Sequence, residues 1–360
     1  MEKSGLSAIR VDSSRLESRY QEKISARPGL KYGIIEVTTR CQLRCPGCYM
    51  VRRQALNKKV MPLKQAIYVL DACREYRQGN DLETMDILGG DPLLWPYLTD
   101  YITELLKRGI KPWVFTNMLA ITPTLATWLL EREVNITGKL NIDPSDESQI
   151  DQQAIMIGRS VRMARKMIGA IKVLTDAGYK APLLRLQNLI RKSNIDLIPG
   201  YYRWCLEHNI GTDLELMGSG EPIDYKYWAI APTPRQVAEL VPKIQAVRRE
   251  FGLDPAEVLM PHLFGSCPFY DAGLYFDVQG GIRACSNSTV SLGSISDPDA
   301  IKKAYESELI CNRLRLSQEL VGEPCSHCAK WSQCRGGCRA TVEGSGDPYG
   351  GYSLCPVPYL

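Results

Sequence analysis

The sequence has few histidines and little excess charge. Only three of its 360 residues are histidine (His208, His262 and His327), and none has the neighbours typical of a hydrolytic triad. The formal net charge is only +4, and a nucleic-acid-binding protein normally shows a concentrated basic patch. We therefore expect neither triad-type hydrolysis nor a nucleic-acid partner.

Long apolar runs are also missing. No stretch is long and apolar enough to cross a membrane, so no membrane partner is expected. Residues 1–10 have no apolar core followed by a cleavage site, unlike a secretory signal. The 13 cysteines are an odd number, which argues against a secreted disulfide framework. The sequence predicts a cytoplasmic protein with reduced thiols, many of which bind metal.

The order of apolar runs predicts the fold. From residue 33 onward, about six short β-like runs alternate with amphipathic helices. This alternation is typical of a parallel sheet covered by helices, and six units are too few for an eight-fold closed barrel. We expect an α/β fold with a partial (β/α)6 parallel barrel, open on one side for substrate, followed by a small cysteine-rich α+β domain. The predicted units are an N-terminal arm (1–30), the barrel (31–222), a linker and helix (223–262) and the cysteine-rich domain (263–360).

Three cysteines, Cys41, Cys45 and Cys48, follow the first apolar run within eight residues. Clustered thiolates bind soft metals, and iron–sulfur clusters are a common ligand for them. A four-iron cluster held by three cysteines keeps one iron open to a small molecule. The alternatives are three unrelated buried thiols or a zinc site, although zinc normally needs a fourth nearby Cys or His.

Two further sets of residues are candidates for ligand binding. Gly89-Gly90-Asp91 follows a predicted strand, where glycines allow a close backbone approach and a carboxylate can hold an ammonium group; an ordinary turn is the alternative. Polar side chains also stand on or after later strands, where they serve either a cofactor or structural networks. These are Thr116, Asn117, Lys139, Asn141, Arg185 and Gln187.

The spacing of the first three cysteines resembles that of the radical S-adenosylmethionine enzymes. The resemblance implies that the amino and carboxylate groups of S-adenosylmethionine bind the open iron, and that an electron then yields a 5′-deoxyadenosyl radical. It also implies that Gly89-Gly90-Asp91 grips the methionyl amino group, although the family usually has Glu where this sequence has Asp91. The aromatic residue that usually precedes the third cysteine is replaced by Gly47, and Tyr49 follows instead. The implied cofactor contacts are Gly89, Gly90, Asp91, Tyr49, Asn117, Lys139, Asn141 and Arg185.

Seven later cysteines resemble the SPASM extension of that superfamily, which carries two auxiliary four-iron clusters. Carried over by position, one cluster has four ligands: Cys325, Cys328, Cys334 and Cys355. The other has three: Cys267, Cys285 and Cys338. The fourth position of this second cluster is open or filled by Cys311, His262 or substrate. For the Cys-x-x-Cys pair, Cys325 and Cys328, a zinc-ribbon element is the alternative. The resemblance thus implies three [4Fe-4S] clusters and S-adenosylmethionine as cofactors.

The resemblance implies hydrogen abstraction followed by net oxidation of a substrate. Our lead expectation is modification of a peptide or protein. Because the N-terminal arm is too short for a peptide-recognition domain, a separate recognition protein could be involved. Dehydrogenation or oxidative decarboxylation of a small molecule is the alternative. We also expect an external electron donor such as a flavodoxin or ferredoxin. A non-enzymatic iron–sulfur or zinc protein is the competing class.

Overall fold

The computed structural model describes residues 29–52, 58–218, 225–256, 267, 271–307, 318–347 and 349–360. Nearly all of the predicted N-terminal arm lies outside the described residues. So do Cys311 and His262, the two candidates for the fourth ligand of the three-cysteine auxiliary cluster.

One eight-stranded sheet organises the described chain. Its first six strands are parallel and lie side by side in chain order, as the sequence predicts for repeated β–α units. The α/β fold class is therefore confirmed. These strands are β1 (Tyr32–Thr38), β2 (Thr84–Gly89), β3 (Lys111–Thr116), β4 (Asn135–Lys139), β5 (Leu184–Ile190) and β6 (Gly211–Leu216).

Helices connect the strands and follow them. Between β1 and β6 lie α1 (Tyr49–Arg52), α2 (Leu63–Tyr76), α3 (Leu98–Lys107), α4 (Pro123–Leu130), α5 (Ile150–Ile157), α6 (Val161–Asp176) and α7 (Ile198–Glu207). After β6 come α8 (Tyr225–Ile230), α9 (Pro234–Glu250), α10 (Ala300–Tyr305), α11 (Trp331–Cys334) and α12 (Arg339–Gly344). None of the described helices has the length and apolarity needed to span a membrane.

Several helix boundaries follow directly from local sequence. Thr122 caps α4, with its side chain accepting a hydrogen bond from the Leu125 N–H at 3.2 Å. Thr233 and Gln236 form a reciprocal capping box at the start of α9. Gly158 ends α5 in the left-handed region at φ +61°, a conformation that glycine adopts easily.

The strands bury apolar side chains on one face and polar ones on the other. On β5, Leu184 and Leu186 are fully buried, whereas the intervening Arg185 is half-buried and pairs with Asp213 of β6. Two residues further along β5, Gln187 accepts a hydrogen bond from Lys139 Nζ at 2.9 Å. One face of the sheet is therefore a polar interior, while the apolar face packs beneath the helices.

The C-terminal cysteine-rich segment begins as an extension of this same sheet. Strand β7 (Gly273–Phe276) pairs in parallel with β1, and β8 (Ile282–Arg283) pairs antiparallel with β7. The Tyr275 hydroxyl donates a hydrogen bond to the Glu36 carboxylate on β1. The hairpin of β7 and β8 therefore lies against β1.

Candidate functional site

The loop that carries Cys41, Cys45 and Cys48 follows β1 at the carboxyl edge of the sheet. The end of α5 holds it in place, because Arg44 N–H donates to the Ile157 carbonyl at 3.0 Å and Arg159 Nε donates to the Gln42 carbonyl at 2.6 Å. A Cβ atom at Gly158 would lie 2.2 Å from the Arg44 carbonyl oxygen. Only glycine therefore allows α5 to approach the loop this closely.

The three thiols of the loop influence one another electrostatically. The pKa of Cys41 is raised to about 11, mainly by burial and to a smaller extent by Asp91 and Cys48. Burial likewise raises the pKa of Cys45 to about 12, with further contributions from Cys48 and Cys41. Because a metal ligand must be a thiolate, binding of a metal here would displace protons from the loop.

Gly89 and Gly90 bring the end of β2 against the start of the cysteine loop. Gly90 N–H donates to the Thr38 carbonyl at 2.7 Å, and Asp91 N–H donates to the Arg40 carbonyl at 2.8 Å. A Cβ atom at Gly89 would lie 2.3 Å from the Thr38 oxygen. In the described structure, the close approach that these glycines permit is to the protein backbone.

Asp91 is the fully buried carboxylate beside this loop. Its Oδ1 accepts a hydrogen bond from Thr116 Oγ1 at 2.7 Å and from Leu93 N–H at 3.4 Å. Burial raises the pKa of this carboxyl, while Thr116, Leu93 and Gln42 lower it. Its Oδ2 is buried and makes no hydrogen bond of good geometry within the described residues, although Gln42 lies close enough to act on the carboxyl. A ligand ammonium group would satisfy this oxygen.

Asn117 lies against the first cysteine. Its Nδ2 is 3.7 Å from Cys41 Sγ and donates to Gln42 Oε1 at 2.9 Å, while its Oδ1 accepts from Leu119 N–H at 2.9 Å. The structure thus brings Asn117 to the loop as the sequence suggests, with its amide directed at a thiol.

Two cations face the thiols from β4 and from the end of β5. Burial lowers the pKa of Lys139, and its electrostatic neighbours include Glu215, Arg191, Cys45 and Cys48. Arg191 is only 4% exposed, and its Nε has no hydrogen-bond partner in the part of the chain described here. Burial lowers its pKa as well, whereas Cys45 and Cys48 raise it.

Sequence reasoning missed Arg191, because an Arg-Lys pair usually lies in solvent. The neighbouring Lys192 is indeed exposed. The signal that could have found Arg191 is its position immediately after β5, at the edge of the sheet where the cysteine loop lies.

Three residues predicted to contact the cofactor interact with other protein groups in the described structure. Arg185 lies near the amino end of β5, where its guanidinium donates to Asp213 and to the Thr212 carbonyl. Arg185 thus forms an ion pair with Asp213 in the described structure, and its role as a cofactor contact stays a prediction. Asn141 donates to Gln153 Oε1 at 3.3 Å, although its Oδ1 is buried without a partner among the described residues.

Tyr49 is the third of these residues. It directly follows Cys48 and interacts with Tyr275 of β7 through a side-chain hydrogen bond that raises the pKa of Tyr275, after the larger effect of burial. Tyr49, Tyr275 and Glu36 therefore form a polar connection between the cysteine loop, the C-terminal hairpin and β1.

Four C-terminal cysteines line a single pocket. The pocket encloses about 350 Å³, part of it open to solvent. Its walls comprise Cys325, Cys328, Cys334 and Cys355, together with Pro324, Trp331, Gly336, Gly337, Tyr352 and Val357. The four thiols thus surround a space, and no three His, Cys, Asp or Glu side chains in the described chain are grouped so as to hold one metal ion.

Two of the remaining cysteines, Cys285 and Cys338, interact with each other. Burial raises the pKa of Cys338, and the next contribution comes from Cys285, which places these two thiols near each other. Cys267 is half-buried. The other two cysteines of the described chain, Cys73 and Cys205, are fully buried in α2 and α7, as expected for structural residues.

The donor sets fit iron–sulfur clusters. Cysteine sulfur is the characteristic ligand of such clusters, and the first loop and the four-cysteine pocket each gather only sulfur donors. Gly336 and Gly337 adopt φ values of +82° and +73° in the wall of the pocket, a conformation that glycine adopts without strain.

Solved structures with this architecture have been determined with S-adenosylmethionine or peptides bound. The chain superposes on native anSMEcpe with bound AdoMet and Cp18Cys peptide with a TM-score of 0.70 at 14% identity, covering 92% of this chain and 95% of that one. It superposes on Streptococcus suis SuiB bound to precursor peptide SuiA with a TM-score of 0.68 at 13% identity, covering 99% and 83%. The chain has the radical S-adenosylmethionine fold. The fold that the resemblance implies is thereby confirmed.

Two curated proteins are similar to this chain in sequence. A tungsten-containing aldehyde ferredoxin oxidoreductase cofactor-modifying protein from Pyrococcus furiosus is 24% identical over 213 residues, which is 59% of this chain and 55% of that protein. The chain thus matches only about half the length of that relative. A PqqA peptide cyclase from Streptomyces rochei is 23% identical over 332 residues, covering 85% and 83%. A scan against models of known protein families gave no match.

Proposed function

We propose that this protein is a radical S-adenosylmethionine enzyme that oxidatively modifies a peptide or protein. The observation that carries the proposal is the loop of three cysteines, which lies beside the buried carboxylate of Asp91 and the two cations Lys139 and Arg191. Such a loop, when it holds a four-iron cluster, supplies the electron that splits S-adenosylmethionine into methionine and a 5′-deoxyadenosyl radical, which abstracts hydrogen from substrate.

The charges around the loop suit the methionyl part of S-adenosylmethionine. Asp91 Oδ2 is placed to accept hydrogen bonds from its ammonium group. The half-buried Lys139 and the buried Arg191 are cations near the thiols, so they would attract its carboxylate and also offset the negative charge of three thiolates. Gly89 and Gly90 would then contribute by holding Asp91 against the loop.

Two auxiliary clusters complete the proposal. Cys325, Cys328, Cys334 and Cys355 would hold one in their common pocket, and Cys267, Cys285 and Cys338 would contribute to the other. These residues would provide a route for the electron that the oxidised substrate gives up. A flavodoxin or ferredoxin would serve as the external donor, and a separate recognition protein would present a peptide substrate.

The peptide-bound structural neighbours and the PqqA peptide cyclase favour a peptide substrate. The Pyrococcus furiosus relative has a name that refers to cofactor modification, which favours oxidation of a small molecule as the second candidate. Candidate peptides and small molecules assayed side by side, with isotopically labelled hydrogen, would separate these two functions through the label that enters 5′-deoxyadenosine.

The core of the proposal is tested by replacing the three loop cysteines. We expect Cys41→Ala/Cys45→Ala/Cys48→Ala to abolish 5′-deoxyadenosine formation under anaerobic, reducing conditions while iron bound by the later cysteines remains. Cys73→Ala is the matched control, because Cys73 is a buried thiol of α2, and it should retain both iron and cleavage. If the unchanged protein contains only zinc, or forms no 5′-deoxyadenosine, the proposal is wrong.

A further inference from the structure

Tyr352 is buried between the two groups of auxiliary cysteines. It is only 3% exposed, and its ring forms part of the wall of the four-cysteine pocket. Gly337, which lies between Cys334 and Cys338 in the chain, packs on this ring, since a Cβ atom there would come within 2.5 Å of the ring carbon Cγ. The tyrosine is therefore held tightly in one place.

The hydroxyl group of Tyr352 is the unusual feature. It is buried and has no hydrogen-bond partner among the described residues. Its electrostatic neighbours are Cys338 from one cysteine group, Cys355 and Cys334 from the other, and Tyr227. The hydroxyl of Tyr227 already donates to the Met217 carbonyl, at 2.6 Å.

A buried hydroxyl normally has a hydrogen-bond partner, because burial without one is unfavourable. A phenol is protonated near neutral pH and can donate its hydrogen. Three of its four electrostatic neighbours are cysteine sulfurs, which accept hydrogen bonds most strongly when they are thiolates or cluster sulfides. A cluster bound by the auxiliary cysteines would thus supply a sulfur acceptor for the Tyr352 hydroxyl.

We propose that Tyr352 donates its hydroxyl hydrogen to a sulfur atom of an auxiliary cluster and thereby raises the reduction potential of that cluster. This inference rests on the proposed auxiliary clusters. A hydrogen bond to sulfur stabilises the reduced state more than the oxidised one, because reduction adds negative charge to the cluster. Tyr352 is therefore a tuning residue, placed where it can adjust the relative potentials of two adjacent electron carriers.

The test is Tyr352→Phe, which removes the hydroxyl and keeps the ring in the pocket wall. It is made in the Cys41→Ala/Cys45→Ala/Cys48→Ala protein, so that only auxiliary clusters contribute to an anaerobic redox titration followed by electron paramagnetic resonance. We expect the equilibrium constant for one-electron reduction of one auxiliary cluster to fall about tenfold, which corresponds to about 59 mV. Iron content should not change.

Tyr101→Phe in the same background is the matched control. Tyr101 in α3 is fully buried, and its hydroxyl also has no hydrogen-bond partner in the described structure, but its electrostatic neighbours are Cys73 and Arg108. This control should alter neither auxiliary potential.

The inference is overturned if both auxiliary potentials of the Tyr352 variant are unchanged or raised, or if the variant loses iron. It is also overturned if the Tyr101 control lowers an auxiliary potential by the same amount. A parent protein without auxiliary iron would instead contradict the proposed clusters themselves, so the two failures are distinguishable.

Discussion

A Cβ atom at Gly90 would lie 2.1 Å from the carbonyl oxygen of Arg40. The two residues belong to different β–α units, and their contact joins the end of β2 to the start of the cysteine loop. The Gly90 N–H strengthens this junction through its hydrogen bond to the Thr38 carbonyl. The position of the loop is thus set partly by a residue that carries no side chain.

We predict that Gly90→Ala destabilises the protein by about 1–3 kcal/mol, because the new methyl group must displace the backbone at Arg40. Urea denaturation of the metal-free protein measures this loss, and iron content after reconstitution reports the effect on the loop. Gly169→Ala is the matched control. Gly169 is exposed in α6 with no heavy atom within 4 Å of an added Cβ, so this change should stabilise the helix by about 0.5–1 kcal/mol. Equal effects of the two substitutions would contradict the prediction.

The buried cation after β5 gives a second prediction. Arg191→Gln should weaken the binding of S-adenosylmethionine to the iron-loaded protein about tenfold or more, because a charged hydrogen bond to the carboxylate is lost. Anaerobic equilibrium dialysis with labelled S-adenosylmethionine measures the affinity. Lys192→Gln removes the same charge from the next residue, which is exposed, and should leave the affinity unchanged. A protein that keeps its iron and its full affinity after Arg191→Gln would show that this guanidinium does not bind the cofactor.

The elements that local sequence encodes were predictable. Thr122 and Gly158 mark helix boundaries by their own chemistry, and the six parallel strands alternate with helices along the chain. The pairing of β7 with β1 was not predictable, because four residues of strand pair with a segment about 240 positions away and no turn connects them. Contacts of that kind depend on the completed fold.

The same distinction applies to the candidate site. The cysteine spacing identifies the loop, since sulfur ligands are recognisable by residue type alone. Arg185 and Arg191 are both arginines near the ends of β5, and the sequence analysis named only Arg185 as a candidate. Arg185 forms an ion pair with Asp213 on the neighbouring strand, whereas Arg191 is buried near the thiols. Only the three-dimensional arrangement decides which cation is paired and which faces the loop.

A third prediction concerns Asp86, a buried carboxyl on β2. Burial raises its pKa from 3.8 to about 8, and Asp213 adds to the shift. Between these two pH values the unfolded chain releases the proton while the folded protein retains it. The contribution of this group to stability is therefore complete below about pH 4 and is lost as the pH rises toward 8.

Asp86→Asn removes this titration while keeping the shape of the side chain. At pH 8 the variant should have a free energy of unfolding higher than the parent by on the order of 1 kcal/mol or more, and near pH 4 the two should be similar. Chemical denaturation at both pH values measures the difference. Asp151→Asn, at an exposed position of α5, is the control and should not produce this pH-dependent gain. A difference between Asp86→Asn and the parent that is the same at pH 4 and pH 8 would mean that the Asp86 carboxyl is ionised in the folded protein, and that its burial is compensated by a positive charge inside the sheet.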